Sequence, residues 1–258
     1  MRVPRLIAAF LLLVSATLSA QGMEYRVRMH MSMPGMPDGS LPTPEMTMLV
    51  QGTKIRVDNS TRGMEISVIL DGSGKSYFVN HAEKTYREQT GISHIDGKEV
   101  HTDTAQLRAM GLIPDVITTT EHRTILGYET TRYIMVMRLP VPGEPGRAMF
   151  SINESWITND PVLKEAFNNS IAAAERMLGP AAGEMKSLMP PGAQGVPLES
   201  NIMMLKGAAA NQIDAVALLK EANPPGLMSR VRMETLAISA RAVPDSVFVV
   251  PANYQKSN

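Results

Sequence analysis

The chain has 258 residues, with 25 Lys plus Arg against 25 Asp plus Glu, 20 Met, 5% aromatic residues and no Cys. A balanced charge without a basic stripe, and so few rings, exclude a nucleic-acid binder, which concentrates positive charge on one face and stacks bases on aromatics. The missing Cys excludes disulfides, a thiol nucleophile, thiolate metal sites and the usual acceptor of a bacterial lipid anchor.

In chain order, Arg2 and Arg5 precede an uncharged apolar run from Leu6 to Val14, and small residues from Ser15 to Ala20 follow. This is the tripartite order of a secretory signal peptide, expected to cover residues 1–22 with cleavage near Gly22. The run is shorter than the roughly 20 apolar residues that span a bilayer core. The expectation is a periplasmic or secreted protein with no transmembrane anchor, its working part a single domain over residues 23–258. Without disulfides that domain is held together by core burial alone, which a chain of this length supports.

From Met23 the sequence alternates. Met23, Tyr25, Val27, Met29, Met31 and Met33 share one parity, and Glu24, Arg26, Arg28, His30 and Ser32 the other. A period of two places the sets on opposite faces of a strand. Pro34 to Pro44 reads as a loop. Met46, Met48 and Val50 begin the next strand, and Gln51-Gly52-Thr53 turns it into Ile55 and Val57. Met64, Ile66, Val68 and Leu70 lead to a turn at Asp71-Gly72-Ser73-Gly74, then to Tyr77 and Val79 and a strand near Thr85-Tyr86. Short strands joined by Gly-rich turns predict an antiparallel meander. Ile92 to Leu112 is less regular, with a short helix over Ala105 to Met110. A hairpin from Val116 to Ile125 and Glu129 to Leu139 bends at Gly127.

The rhythm then changes. Asp160 caps a helix starting at Pro161, and Leu163, Phe167, Ile171, Ala174 and Leu178 recur at helical spacing until Gly179-Pro180. Ala181 to Met189 predicts a second helical segment and Ile213 to Ala222 a third, ended by Pro224-Pro225-Gly226. Strands at Leu198 to Lys206, Val231 to Ala240 and Val247 to Val250 complete the sheet. The fold class is α+β, mainly β: a curved antiparallel sheet or unclosed barrel with two or three amphipathic helices packed on its concave face. An outer-membrane barrel shares the alternation but offers no surface for the helices' apolar stripes.

The motifs carry little chemistry. Met29-His30-Met31-Ser32-Met33, with Met36 beyond, suggests Cu(I) held by soft thioethers. Strand parity opposes this, because the three Met share a face with Tyr25 and Val27 while His30 points away. The stripe reads as core or cavity lining, for which flexible thioethers are suited. His94 and His101, with Asp96, Glu99 and Asp103, match no ligand spacing such as H-E-x-x-H and read as solvated loop residues. Gly72-Ser73-Gly74-Lys75-Ser76 ends like a phosphate loop, but Ile69 stands where its leading Gly belongs and a strand follows, so it reads as a hairpin turn. There is no G-x-S-x-G elbow, and no Ser, His and acidic residue group by spacing. No enzyme activity, cofactor or metal is expected.

Several short patterns occur together: Lys84-Thr85-Tyr86 after a strand pair, Ile125-x-Gly127-Tyr128 followed by Tyr133, and Trp156 before the first helix. Gly195-Val196-Pro197-Leu198 precedes a strand, and Val250-Pro251-Ala252-Asn253-Tyr254 stands near the end. With these the chain resembles the bacterial exported proteins grouped as domain of unknown function 4412, themselves similar to the lipoprotein-carrier fold. The resemblance covers most of residues 23–258, and the segments Ile92 to Leu112 and Ala181 to Gln194 depart from it as long inserts. It implies an unclosed antiparallel barrel whose helices cover a hollow that shelters acyl chains, and it transfers no catalytic residue. The resulting expectation is an exported, non-enzymatic binding protein holding a hydrophobic small molecule or lipoprotein between sheet and helices. Its lining would comprise Met29, Met31, Met33, Met46, Met48, Ile66, Val68, Met135, Met137, Phe167 and Ile171. The alternatives are a periplasmic copper-handling protein using the Met-rich first strand and an envelope protein with a filled core; oligomeric state is not legible.

Overall fold

The period-two runs form the strands expected of them. In a computed structural model that describes residues 22–37, 39–61, 63–90, 94–95, 98–99, 114–141, 147–178, 189–207 and 213–257, they build one large antiparallel sheet. β1 (Gly22–Ser32), β2 (Glu45–Gln51), β3 (Lys54–Thr61), β4 (Met64–Leu70), β5 (Lys75–Asn80) and β6 (Thr85–Thr90) run as a meander. β7 (His94–Ile95) and β8 (Lys98–Glu99) form a separate two-stranded ladder. β9 (Asp115–Ile125), β10 (Tyr128–Pro140), β11 (Ala148–Thr158), β12 (Val196–Lys206) and β13 (Leu227–Arg241) make the second half. A short β14 (Gln255–Lys256) lies parallel to β6. The order across the 12-stranded sheet is β14-β6-β5-β4-β3-β2-β1-β13-β12-β11-β10-β9, and its end strands do not meet, so the barrel is unclosed. The signal segment and the helix expected over Ala105 to Met110 lie outside the described residues, as does all of Ala181 to Met189 except Met189.

The turns follow local chemistry. Gly72 and Gly74 take positive φ between β4 and β5, so the phosphate-loop look-alike is a hairpin turn. Leu126 (φ 51) and Gly127 (φ 85) join β9 to β10 with the two left-handed residues that a type I′ hairpin demands.

Helix α1 (Pro161–Leu178) starts where Asp160 Oδ1 accepts the N–H groups of Val162 (3.1 Å) and Leu163 (3.0 Å). Its Leu163 is buried with Met23, Val50, Val196 and Leu198. Ile125 and Tyr128, from the hairpin at the far edge, pack on this cluster together with Met48 of β2. Five strand spacings of about 4.8 Å would separate β2 from β10 in a flat sheet, so the sheet bends around α1.

The core is not confined to that face. Helix α2 (Ala215–Lys220), capped by Asp214 through the N–H of Ala217 at 2.9 Å, covers Ile134, Phe150, Ile152, Met203 and Leu205. Register places these opposite to Met23 and Val50: Met203 pairs with Arg230 and Arg230 with Ser32, which has the other parity of β1. The two described helices therefore occupy opposite faces, where both were expected on the concave one. The strand expected over Val247 to Val250 is also corrected. Asp245–Phe248 is a 3-10 turn, and Val243, Phe248, Val250 and Tyr254 cover Leu49, Ile69 and Val79 on the α2 side of the meander. The physical reason lies in Leu49-Val50 and Ile69-Leu70: adjacent apolar residues in a strand feed both faces, so each face needs a cover.

Candidate functional site

Register gathers the strand residues expected to line a hollow. Met29 pairs with Met233, which continues to Ser200, Ser155 and Tyr133. Met31 pairs with Val231, which continues to Ile202, Asn153 and Met135; Met204, Ser151 and Met137 follow one row on. Across β1 the rows Val27-Met46-Asn59-Ile66 and Tyr25-Met48-Val57-Val68 lie on the same side. Met29, Met31, Met46, Met48, Ile66, Val68, Met135 and Met137 thus share one face, the face covered in part by α1. Met33 lies just beyond β1, and Phe167 and Ile171 are on α1.

None of these residues is buried. Met31 and Met33 are 37% and 38% exposed, and the others are half-buried. The stripe is thus core at Met23 and Val27, but open to solvent at Met31 and Met33, because α1 packs over β1, β2, β3 and the start of β12 and leaves the Met31 end uncovered. The face is also interrupted: Ser155 and Ser200 sit among the methionines and share a buried hydroxyl–hydroxyl hydrogen bond of 2.9 Å.

Beside α2 lies a cleft of about 1180 Å³ whose polar floor is on the reverse face and which Met31, Met33, Ser200 and Met233 also line. Its floor is two register rows, His30-Arg232-Asn201-Glu154 and Glu234-Glu199-Trp156, with Arg230 in the row below. Pro34, Gly35, Met36, Gly39, Leu219 and Leu227 form its walls. Arg123 reaches from β9 over the Trp156 ring, 4.0 Å from its centre, to an ion pair with Glu199. Glu154 accepts from Arg132 Nε at 2.6 Å, and Arg132 also donates to Glu121 at 2.5 Å. His30 Nε2 lies 3.9 Å from Glu234.

Arg230 is the exception in this pairing. Its side chain is 5% exposed and donates to Met203 Sδ and the Glu221 carbonyl, each at 2.7 Å, both uncharged. Burial, and then the like charge of Arg232, push its guanidinium below the ordinary value, with Glu154 acting the other way. Sequence reading passed over Arg230 and Arg232, although Arg230-Val231-Arg232 already carried the signal: period-two charges put both guanidiniums on one face.

A third cluster unites residues that spacing left apart. Ser67 Oγ donates to Asp58 Oδ1 and lies 2.6 Å from His81 Nε2, while His81 Nδ1 lies 2.8 Å from Tyr254 Oη. Arg56 donates to Asp58, Ser67 and the Val247 carbonyl. The order is wrong for an activated nucleophile, in which His stands between serine and acid. Here the acid bonds the serine, the serine is fully buried, and the chain of bonds fastens the C-terminal segment to the sheet. Among the described residues no group of three or more His, Asp or Glu is placed to hold a metal ion. His94 and Glu99 lie on β7 and β8, and Asp96, His101 and Asp103 lie outside the described residues. No described helix is long and apolar enough to cross a membrane.

No family model matches the sequence, so the likeness to domain of unknown function 4412 gains no support there, and no curated protein matches it. Among solved structures the chain is similar to PNGF-II in two crystal forms. One gives a TM-score of 0.37 at 11% identity over 93% of this chain, the other 0.36 at 12% over 92%. The chain spans 31% of PNGF-II. It is also similar to lipoprotein LppX of Mycobacterium tuberculosis, with a TM-score of 0.29 at 10% identity over 90% of this chain and 94% of that one.

Proposed function

We propose that the chain is an exported, non-enzymatic binding protein that holds an apolar ligand, an acyl chain or the lipid of a lipoprotein, against the methionine face beside α1. One observation carries the reading: Met29, Met31, Met46, Met48, Met135 and Met137 share a face and none of them is buried, although Met48 also packs against the core. A row of half-exposed thioethers is an adaptable apolar surface, since unbranched side chains repack at low cost around chains of different shape. The half-buried Phe167 and Ile171 of α1 flank the face and would contact the same ligand.

The test is titration of the purified protein with a fluorescent fatty acid, alongside native mass spectrometry of protein taken from its own envelope. Saturable binding weakened at least ten-fold by Met135→Glu, with the melting temperature kept, is the expected result. A protein that carries no copurifying lipid and leaves the probe dark has only a structural role.

A further inference from the structure

Two buried side-chain polar atoms lack a hydrogen-bond partner among the described residues, Arg230 Nε and Asn201 Oδ1. Both residues line the reverse-face cleft. They come from different strands, β13 and β12, so one local distortion does not account for both. A buried unpaired donor and a buried unpaired acceptor each carry a desolvation cost, and native structures keep such groups chiefly where something else completes them.

The charges around them are uneven in a specific way. Two of the cleft's three carboxylates are matched by guanidiniums, Glu154 by Arg132 and Glu199 by Arg123, while Glu234 lies 3.9 Å from His30 Nε2, a pair that is ionic only when the imidazole is protonated. The guanidiniums of Arg230 and Arg232 are unmatched. Arg230 spends its bonds on a thioether and a carbonyl, and Arg232 makes no ion pair or hydrogen bond with a described residue. Two residues apart on one strand, they project from the same face with Cα atoms about 7 Å apart. That spacing suits two planar forks closing on a single oxyanion.

We propose that this cleft, whose polar floor faces away from the methionine row but which Met31 and Met33 also line, is a second binding site, for a hydroxylated organic anion. Its carboxylate or phosphate lies between Arg230 and Arg232, accepting from Arg230 Nε, and an adjacent hydroxyl donates to Asn201 Oδ1. The volume, about 1180 Å³, exceeds what an inorganic ion needs and leaves room for a sugar-sized body against Trp156, Leu219 and Leu227. The matched carboxylates orient rather than repel: Glu154, which already accepts from Asn201 Nδ2 at 3.3 Å, fixes the amide so that its oxygen is the atom left to accept.

Calorimetric titration and thermal shift of the full chain with glycerol 3-phosphate, glucuronate, inorganic phosphate and glycerol test this. Glycerol 3-phosphate represents a lipid headgroup and glucuronate a free sugar acid, and the tighter binder names the source. The expected result is saturable binding of at least one of these two, tighter than inorganic phosphate, with glycerol inert. Arg232→Gln, at an exposed position, should weaken it at least ten-fold and leave both the unliganded melting temperature and fatty-acid probe binding unchanged. The smaller perturbation Arg230→Lys, which keeps the charge and removes Nε, should weaken it similarly. Binding unchanged in Arg232→Gln, glycerol or inorganic phosphate binding as tightly as the hydroxylated anions, or no binding at millimolar ligand would each overturn the proposal. Fatty-acid binding is a separate readout, so failure here leaves the methionine-face reading standing.

Discussion

Leu163 is the sharpest probe of how α1 is seated. It is 1% exposed in the first turn, and its cavity is built by Met23 of β1, Val50 of β2, and Val196 and Leu198 of β12. Leu163→Ala removes three carbons from a site whose walls belong to three paired strands and so cannot close by one side-chain shift. Leu→Ala costs range over about 2–5 kcal/mol, rising with the cavity that remains; rigid walls place this one at about 3–4 kcal/mol. For a domain of this size that corresponds to a fall of about 6–16 °C in melting temperature. Urea denaturation should show the midpoint fall with an unchanged slope, while Val162→Ala next to it, 49% exposed, shifts stability by less than about 0.5 kcal/mol. A loss below about 1 kcal/mol at Leu163, or an equal loss at Val162, would refute the docking of α1 through this residue.

Three further outcomes follow from the same geometry. Arg132→Met strips Glu154 of its main partner, and its cost of about 3 kcal/mol in denaturant melts should largely be recovered in the Arg132→Met, Glu154→Met double variant. Burial holds the Tyr25 phenol above its usual value, the hydroxyl of Thr235 opposing, while Tyr25 donates to the Pro197 carbonyl at 2.5 Å. The fold thus binds this proton more tightly than the unfolded chain. Its stabilisation is complete below the ordinary phenol range, near pH 10, and is lost as pH rises through the raised value. Stability measured against pH should therefore fall less steeply on the alkaline side in Tyr25→Phe; a parallel limb contradicts the assignment. Under mild peroxide, peptide mapping should find Met31 and Met33 oxidised well before the fully buried Met23 and Met203.

Most of the strands, the turns and α1 were legible because each rests on a local rule: parity from Met23 to Ser32, glycine at positive φ, an aspartate before Pro161; β11 was passed over. Faces were legible too, which is why eight scattered residues expected to share one surface do so. What parity hid was the second cover. Leu49 and Ile69 look like interruptions of an alternating pattern until Phe248 and Val250, nearly two hundred positions later in the case of Leu49, are folded onto them. The cleft stayed hidden for a related reason. Arg230, Arg232, Asn201 and Glu154 each occupy a position that reads as solvent-facing in its own strand, and only the pairing of β11, β12, β13 and β1 turns four polar faces into one enclosure.

The place of β1 has a consequence for how the molecule comes to be made. The strand is synthesised first of the sheet, yet it lies in the middle, with β2 on one flank and β13 on the other, Gly22 opposite Arg241. The meander from β1 to β6 can assemble from neighbours in sequence, but the free flank of β1 waits until the ribosome has delivered β13. Pairing between such distant segments closes the longest loop in the chain and is intrinsically slow. Throughout that interval the nascent protein presents an unpaired eleven-residue strand edge bearing three methionines, the kind of edge that recruits another copy of itself. Holding that edge apart from its like, until the last long strand arrives, is the task this topology sets for the cell's chaperones.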